Sequence, residues 1–150
     1  MTRSLRIGID GRELCGHPTG VGRYLRSLLR RFALDPRHQF VVYGSAPFAL
    51  SVESERIAGR VAPGGHPFFW EQRILPAALR EDSIDVLLSP AYSCPLFSGL
   101  PRVTAIHDLC FEAVPEMVDD DNGRFRRREV SRAAVRSDRV TALTETMADE

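Results

Sequence analysis

The first 32 residues constrain the fold most, because a glycine-rich loop there joins a strand pattern to a helix pattern. Leu5–Asp10 is an apolar run of strand length, and a helix is predicted over Gly22–Phe32. The apolar residues of that helix recur on one face: Tyr24, Leu25, Leu28, Leu29 and Phe32. The loop between the strand and the helix contains Gly20 and ends at Gly22. A strand, loop and helix in this order predict the beginning of a β-α-β unit.

The rest of the chain continues this alternation. Further strands are predicted at Gln39–Gly44, Arg56–Ala62, Ile84–Leu88, Arg102–Ile106 and Arg139–Leu143, the last three as buried apolar runs. Helices are predicted at Phe68–Arg80, divided or kinked at Pro76, and at Val118–Arg136, and Thr144–Glu150 begins another. The inward face of Phe68–Arg80 is expected to carry Phe69, Ile74, Leu75, Ala78 and Leu79. The order predicts an α/β fold with a Rossmann-like, doubly wound, mostly parallel sheet.

Composition excludes several classes of protein. A chain of 150 residues fits one domain. Its 20 acidic residues balance its 20 basic ones, so the chain lacks the net positive charge that would favour nucleic acid as a partner. All the basic residues are arginine. Without lysine the chain cannot be a phosphate-loop NTPase, a pyridoxal enzyme or a protein kinase.

Cysteine usage and the N-terminus favour a cytoplasmic protein. Cys15, Cys94 and Cys110 are odd in number and widely spaced, which indicates neither a disulfide framework nor a zinc site. We expect them to be small buried residues in a reducing compartment. The apolar run near the N-terminus is too short for a signal peptide, and no segment approaches membrane-spanning length.

The glycine-rich loop lies where an open parallel sheet binds ligands, beyond the carboxyl end of a strand. Gly20 and Gly22 would allow close approach of the backbone, and the start of the helix favours an anion such as phosphate. A dinucleotide fingerprint fits poorly, because Leu25 replaces its third glycine and the loop is long. The acidic residue expected at the end of the second strand is also missing, since that strand ends in Tyr43 and Gly44. A structural turn remains the alternative.

Two other strand ends carry polar residues. His107 and Asp108 follow Arg102–Ile106, on a strand expected to neighbour the first, where His107 could hydrogen-bond a sugar hydroxyl or a phosphate. A purely structural histidine is the alternative, whereas a metal site or hydrolase dyad lacks further ligands and a G-x-S-x-G motif. After the strand Ile84–Leu88 come three hydroxyl side chains suited to line a cleft: Ser89, Tyr92 and Ser93.

Taken in chain order, these segments resemble the N-terminal domain of GT-B-fold glycosyltransferases of family 4, retaining enzymes that use nucleotide-sugars. The matching segments span nearly the whole chain and read IGIDGR, PTGVGRY, FFWEQRILP, DVLLSP, IHDL and TALTE. The resemblance implies a domain that binds the acceptor, with a glycine-rich loop that reaches the diphosphate of the donor. It also implies a metal-independent reaction without a cofactor, the nucleotide-sugar being a substrate.

The resemblance assigns roles by position. Gly20 and Gly22 would form the donor-phosphate loop, to which Arg23 is added as a candidate phosphate partner, and His107 would be the catalytic histidine that touches the transferred sugar. Arg12 is a further candidate for phosphate or for the acceptor cleft. The remaining candidates for the acceptor cleft are Tyr92, Asp108 and Glu145.

The resemblance also implies what surrounds the domain. Residues 1–150 would be the N-terminal, acceptor-side domain, and the C-terminal donor-binding domain is absent from this chain, which alone should be inactive or nearly so. The implied reaction moves a hexose, with mannose as a first guess, to a glycan or lipid-linked acceptor. One alternative is a non-catalytic module that binds a glycan or a partner, and a dinucleotide-dependent enzyme is less favoured.

Two surface features have competing interpretations. Arg124–Arg128 could contact anionic lipid, placing the protein at the inner face of a membrane, but acidic neighbours favour a solvated helix face. Phe68–Trp70 could form an exposed aromatic patch, but its helical spacing favours packing in the core.

Overall fold

The computed structural model of the chain describes residues 3–109, 120–145 and 148. Its centre is a six-stranded sheet of order β3-β2-β1-β4-β5-β6, in which every neighbouring pair is parallel. The strands are β1 (Arg6–Asp10), β2 (Gln39–Gly44), β3 (Ile57–Val61), β4 (Val86–Ser89), β5 (Arg102–Ile106) and β6 (Arg139–Ala142). The predicted α/β, Rossmann-like, doubly wound sheet is confirmed.

Helices connect these strands. They are α1 (Gly20–Phe32), α2 (Pro67–Phe69), α3 (Leu75–Glu81) and α4 (Asp120–Arg136). A 3₁₀ turn at Arg12–Leu14 follows β1, and a π-helical turn at Trp70–Ile74 joins α2 to α3. Pro76 lies in the first turn of α3, so the predicted helix is divided close to that proline.

Two apolar cores lie on opposite faces of the sheet. Val42 of β2 packs with Leu25 and Leu29 of α1, whereas its neighbours Val41 and Tyr43 pack with α3 residues on the other side. Alternate side chains of a strand point to opposite faces, so one buried strand contributes to both cores. This two-sided burial explains why the central strands read as continuous apolar runs.

Helix α1 begins two residues earlier than predicted. Thr19 is its N-cap, and the Thr19 hydroxyl accepts a hydrogen bond of 2.9 Å from the backbone N–H of Gly22. The same hydroxyl donates to Glu13 at 2.6 Å. Gly22 is buried against the turn that follows β1, while Gly20 is exposed at the first residue of the helix.

The prediction that Phe69 faces the core is wrong. Phe69 is 56% exposed, and Trp70 is buried instead. A π-helical turn adds one residue to a helical turn, so the face set by Leu75, Ala78 and Leu79 does not extend back in phase to Phe69. The preferred interpretation of Phe68–Trp70 as core therefore holds for Trp70 alone, and Phe68 is also exposed.

The prediction that the strand before His107 neighbours the first strand is also wrong, because β4 lies between β1 and β5. After β3 the chain crosses through α3 and adds β4 on the free side of β1, and β5 then adds beyond β4. Strand β6 pairs with β5, and its residues Val140 and Arg139 are exposed, so its predicted burial is not observed. Since all pairs are parallel, every strand still ends at the same rim of the sheet.

Several smaller expectations can be compared with the described residues. Cys94 is buried and Cys15 is partly exposed, whereas Cys110 lies outside the described residues, as does most of Thr144–Glu150. Arg124, Arg126 and Arg128 are exposed on α4, in agreement with a solvated helix face. In the part of the chain that the structure describes, no helix has the length and apolar character needed to cross a bilayer.

We predict that Gly22→Ala destabilises the fold and that Gly20→Ala does not. A Cβ at position 22 would lie 2.5 Å from the backbone oxygen of Glu13, whereas a Cβ at position 20 meets no atom within 4 Å. Gly22→Ala should lower the free energy of unfolding by about 1–3 kcal/mol, as overpacking does. Urea denaturation of the two variants gives the comparison, and equal stabilities would contradict the described packing of α1.

Candidate functional site

The candidate site lies at the switch point of the sheet. Strand β2 pairs with one edge of β1 and β4 pairs with the other, so the strand order changes direction at β1. Ligands bind at such a point, beyond the carboxyl ends of the strands. Two adjoining cavities open there, of about 330 Å³ and 520 Å³. The first is lined by Asp10, Arg12, Glu13, Ser45, Gly65, Pro67, Ala91 and Ser93. The second, the Glu71 cleft, is lined by Arg12, His66, Pro67, Phe68, Glu71, Ser93 and Glu129.

A buried group of charges forms the floor between the two cavities. The guanidinium of Arg12 lies 2.7 Å from a carboxylate oxygen of Asp10 and 2.6 Å from one of Glu71. The two acidic residues are only 4% and 3% exposed. Sequence reasoning missed both, although an acid at the end of an apolar strand and an acid inside a helical apolar pattern are the features that could have indicated them.

The side chain of Arg12 is fixed by hydrogen bonds to neighbouring residues. Its Nε and Nη2 groups donate to Asp10 and Glu71, and Nη1 donates to the backbone oxygen of Pro67 at 3.3 Å. Its guanidinium also lies over the ring of Trp70, 5.1 Å from the ring centre. Burial alone would lower the pKa of Arg12, but the carboxylates of Asp10 and Glu71 outweigh that effect and raise it. Arg12 is therefore a charged structural partner within this site.

The loop after β4 is tied to the same group. The hydroxyl of Ser93 donates to Glu71, and the amide of Gln72 donates to Glu71 at 3.0 Å and to the backbone oxygen of Cys94 at 3.2 Å. The backbone N–H of Leu96 donates to Gln72 at 2.8 Å. The π-helical turn and the loop after β4 are thereby fixed to each other.

His107 follows β5 at the same rim, where two aromatic rings enclose it. The ring of Tyr24 lies edge-on at 4.8 Å and that of Tyr92 at 5.5 Å, measured between ring centres. Because Tyr24 belongs to α1, this contact places His107 beside the helix that begins at Gly20. The Nε2 atom of His107 hydrogen-bonds the backbone oxygen of Pro90. A carbonyl oxygen only accepts, so Nε2 carries a proton and Nδ1 is the nitrogen left for other partners.

Tyr92 connects three segments of the rim. Its hydroxyl hydrogen-bonds the carboxylate of Asp108, and the guanidinium of Arg126 from α4 lies 5.9 Å from the centre of its ring. Its backbone has φ of 59°, in the left-handed region that non-glycine residues rarely adopt. Strained backbone of this kind concentrates at functional sites, where the surrounding structure holds it in place.

Three other candidates, Arg23, Asp108 and Glu145, are not among the residues that line the two cavities. Arg23 is exposed on α1, and Asp108 is exposed beside Tyr92. Glu145 is exposed beyond β6 and lines neither cavity. Of the hydroxyl residues predicted to line a cleft, Ser93 lines both cavities, whereas Ser89 is the last residue of β4 and is fully buried. In the described ranges, no three His, Cys, Asp or Glu residues group together in a way that could hold a metal ion.

Glu129 from α4 is the second acid of the Glu71 cleft. Partial burial raises its pKa, the nearby charge of Glu71 raises it further, and Arg132 and Arg12 oppose the shift. Its carboxylate therefore gains protons at higher pH than an exposed glutamate does.

We predict that Arg12→Leu lowers the free energy of unfolding by about 3–5 kcal/mol, because it leaves two buried carboxylates without a counter-charge. Arg23→Leu, which removes an exposed arginine, is the matched control and should have little effect. If Arg12→Leu does not fold, adding Asp10→Asn and Glu71→Gln should restore folding. A loss below about 1 kcal/mol in chemical denaturation would contradict the role of Arg12.

We predict that the charge of Glu129 makes stability depend on pH. A carboxyl group whose pKa is higher in the folded protein than in the unfolded chain binds more protons when folded between the two values. Stability from this group therefore falls as pH rises through that window. Glu129→Gln should be more stable than the natural protein at pH 7, and the difference should vanish at a pH below the unfolded-state pKa. Urea denaturation at several pH values tests this, and a difference independent of pH would contradict it.

The sequence matches no protein-family model and no curated protein.

Proposed function

We propose that this chain is the acceptor-side domain of a retaining, metal-independent glycosyltransferase of the GT-B fold, similar to family 4. It would transfer a hexose, with mannose as the first candidate, from a nucleotide-sugar to a glycan or lipid-linked acceptor. The observation that carries the proposal is the edge-on contact of His107 with Tyr24, a residue of the helix that begins at Gly20. A sugar and the phosphate attached to it could therefore be held by one rim.

The start of α1 supports a role in binding the donor diphosphate. Gly20 is exposed and has open space around it, so a phosphate can approach the backbone closely at that point. The first turn of a helix offers N–H groups and the positive end of the helix dipole. Arg23 is exposed one turn further on and can add a charge. Gly22 has a different role, since it is needed for packing against Glu13.

His107 supports a role in holding the transferred sugar. With Nε2 bonded to Pro90, the Nδ1 atom of a neutral imidazole accepts a hydrogen bond, which suits a sugar hydroxyl. As the bond to the diphosphate breaks, positive charge develops on the sugar and negative charge on the leaving group. Donors fixed at the start of α1 would stabilise the leaving phosphate without reorganisation. By this proposal, a second domain supplies the remaining contacts to the nucleotide.

The proposal includes a cytoplasmic location, and the free thiols of Cys15 and Cys94 suit a reducing compartment.

A dinucleotide-dependent enzyme is less well supported. β2 ends in Tyr43 and Gly44, and the Tyr43 hydroxyl is already bonded to Asp82 at 2.7 Å. The connection from β1 to α1 also contains a 3₁₀ turn, where a dinucleotide fold has a tight turn.

We predict that His107→Ala in the full-length protein lowers kcat/KM for sugar transfer by about a hundredfold or more, comparable to loss of one transition-state contact. The side chain lies at the end of a strand rather than in either main core, so the variant should still fold. Product formation from nucleotide-sugars and thermal denaturation measure the two effects. A folded variant with unchanged transfer would remove His107 from the site.

We predict that Gly20→Val raises the Kd for the nucleotide-sugar at least about tenfold, a loss of roughly 1.4 kcal/mol. Its side chain would occupy the space through which a phosphate reaches the first turn of α1. Because a Cβ at residue 20 would meet no atom within 4 Å apart from its chain neighbours and the backbone of its own helix, the fold should persist. Calorimetry gives the affinity, and an unchanged Kd would mean that the loop holds another ligand.

A further inference from the structure

We propose that the Glu71 cleft binds an uncharged, hydroxyl-rich sugar residue and excludes sugars that carry a phosphate or carboxylate. The inference rests on the proposed function in one respect: this sugar would be the acceptor, or the part of it next to the transferred hexose. The preference for uncharged sugars follows from the polar atoms of the cleft that have unused hydrogen-bonding capacity, most of which are acceptors.

Arg12 is the cation that the buried network contributes to the cleft wall, and little of it remains for a ligand. Four of its five N–H groups are occupied, by Asp10, Glu71 and the backbone oxygen of Pro67. Its charge is matched by two carboxylates in direct contact. A phosphate could accept from the one remaining N–H, but a second bond to Arg12 would require it to displace one of these buried carboxylates, which would then lose its counter-charge.

The other polar groups of the cleft mostly accept hydrogen bonds. Ser93 uses its one proton on Glu71, so its oxygen is left with lone pairs. Glu71 still has accepting capacity beyond Arg12, Ser93 and Gln72, and Glu129 adds a second carboxylate. His66 can accept or donate. A ligand must therefore supply donors, which the hydroxyl groups of a sugar do.

The acidic residues around the cleft also disfavour an anionic ligand. Among the lining residues that the structure describes, the acids are Glu71 and Glu129 in the Glu71 cleft and Asp10 and Glu13 in the adjoining cavity, and Arg12 is the arginine that both cavities share. Arg132 lies near Glu129 and partly offsets its charge. An anionic ligand would meet several like charges in a partly buried cleft, where they are screened less than in water.

The shape and apolar surface of the cleft suit a sugar ring. Its volume of about 520 Å³ falls within the range of small-molecule sites. Phe68 is 50% exposed and lines the cleft, so it offers a flat apolar surface in addition to the polar groups. A pyranose has one face of C–H groups and a rim of hydroxyls, which matches an aromatic surface next to hydrogen-bond acceptors.

The test uses matched probes on the full-length protein. The uncharged probes are the methyl α-glycosides of mannose, glucose and galactose, and the anionic probes are the 6-phosphates of the same three sugars. Protein-observed NMR at pH 7.5 gives each Kd. We expect at least one uncharged glycoside to bind with a Kd in the range of about 1–30 mM, as weak single-sugar binding does, and its 6-phosphate to bind at least about tenfold more weakly.

Charge variants then test the cause of the selection. Glu129→Gln should tighten binding of the 6-phosphate by about threefold to tenfold by removing a like charge from the cleft wall. Glu53→Gln, with the same change at an exposed residue between β2 and β3, is the matched control and should change neither Kd. Equal affinity of the natural protein for a glycoside and its phosphate would overturn the inference. So would the absence of saturable glycoside binding, or equal effects of the two variants.

Failure of the inference and failure of the proposed function can be told apart. Turnover of nucleotide-sugars by the same preparation is measured separately from binding of the probes. Selective glycoside binding without any turnover would support this inference and favour a glycan-binding module over a transferase. Turnover with preferential use of phosphorylated acceptors would support the transferase and overturn the assigned selectivity.

Discussion

The contact of Arg12 with Asp10 and Glu71 is the interaction on which the arrangement of this rim depends. It joins the end of β1 to the π-helical turn before α3, and through Ser93 it also fixes the loop after β4. Both acids are buried, so removing the guanidinium would leave two carboxylates without water or a counter-charge. The position of the Glu71 cleft follows directly from this buried network.

Under the proposed function, the rim divides its chemistry between two places. The start of α1 offers N–H donors and an open approach at Gly20, which suits a diphosphate. The Glu71 cleft and Nδ1 of His107 offer acceptors, which suit sugar hydroxyls. Tyr24 of α1 lies against the imidazole of His107. A nucleotide-sugar and its acceptor could thus be told apart by hydrogen-bond polarity at neighbouring positions of one surface.

The sequence predicts the regular parts of this structure well and the long-range parts poorly. β2 and β5 have the predicted bounds, because buried parallel strands leave clear apolar runs between turn residues. Phe69 was misplaced because a π-helical turn shifts the helical phase without any local marker. The pairing of Arg12 with Glu71 joins residues separated by 59 positions, so no spacing rule could indicate it. His107 and Gly20 could be predicted to share a rim, but the contact of His107 with Tyr24 of α1 depends on strand order and helix rotation.

The most direct test of the shared site is NMR of the full-length protein, labelled with ¹⁵N in its backbone amides and histidine rings, during titration with GDP-mannose and UDP-glucose. If the proposed site is shared, one nucleotide-sugar shifts the amides of Gly20 and Val21 and the ring nitrogens of His107 together, with a single Kd. Shifts of these two groups with different affinities, or of one group alone at saturation, would show that they do not bind one ligand together.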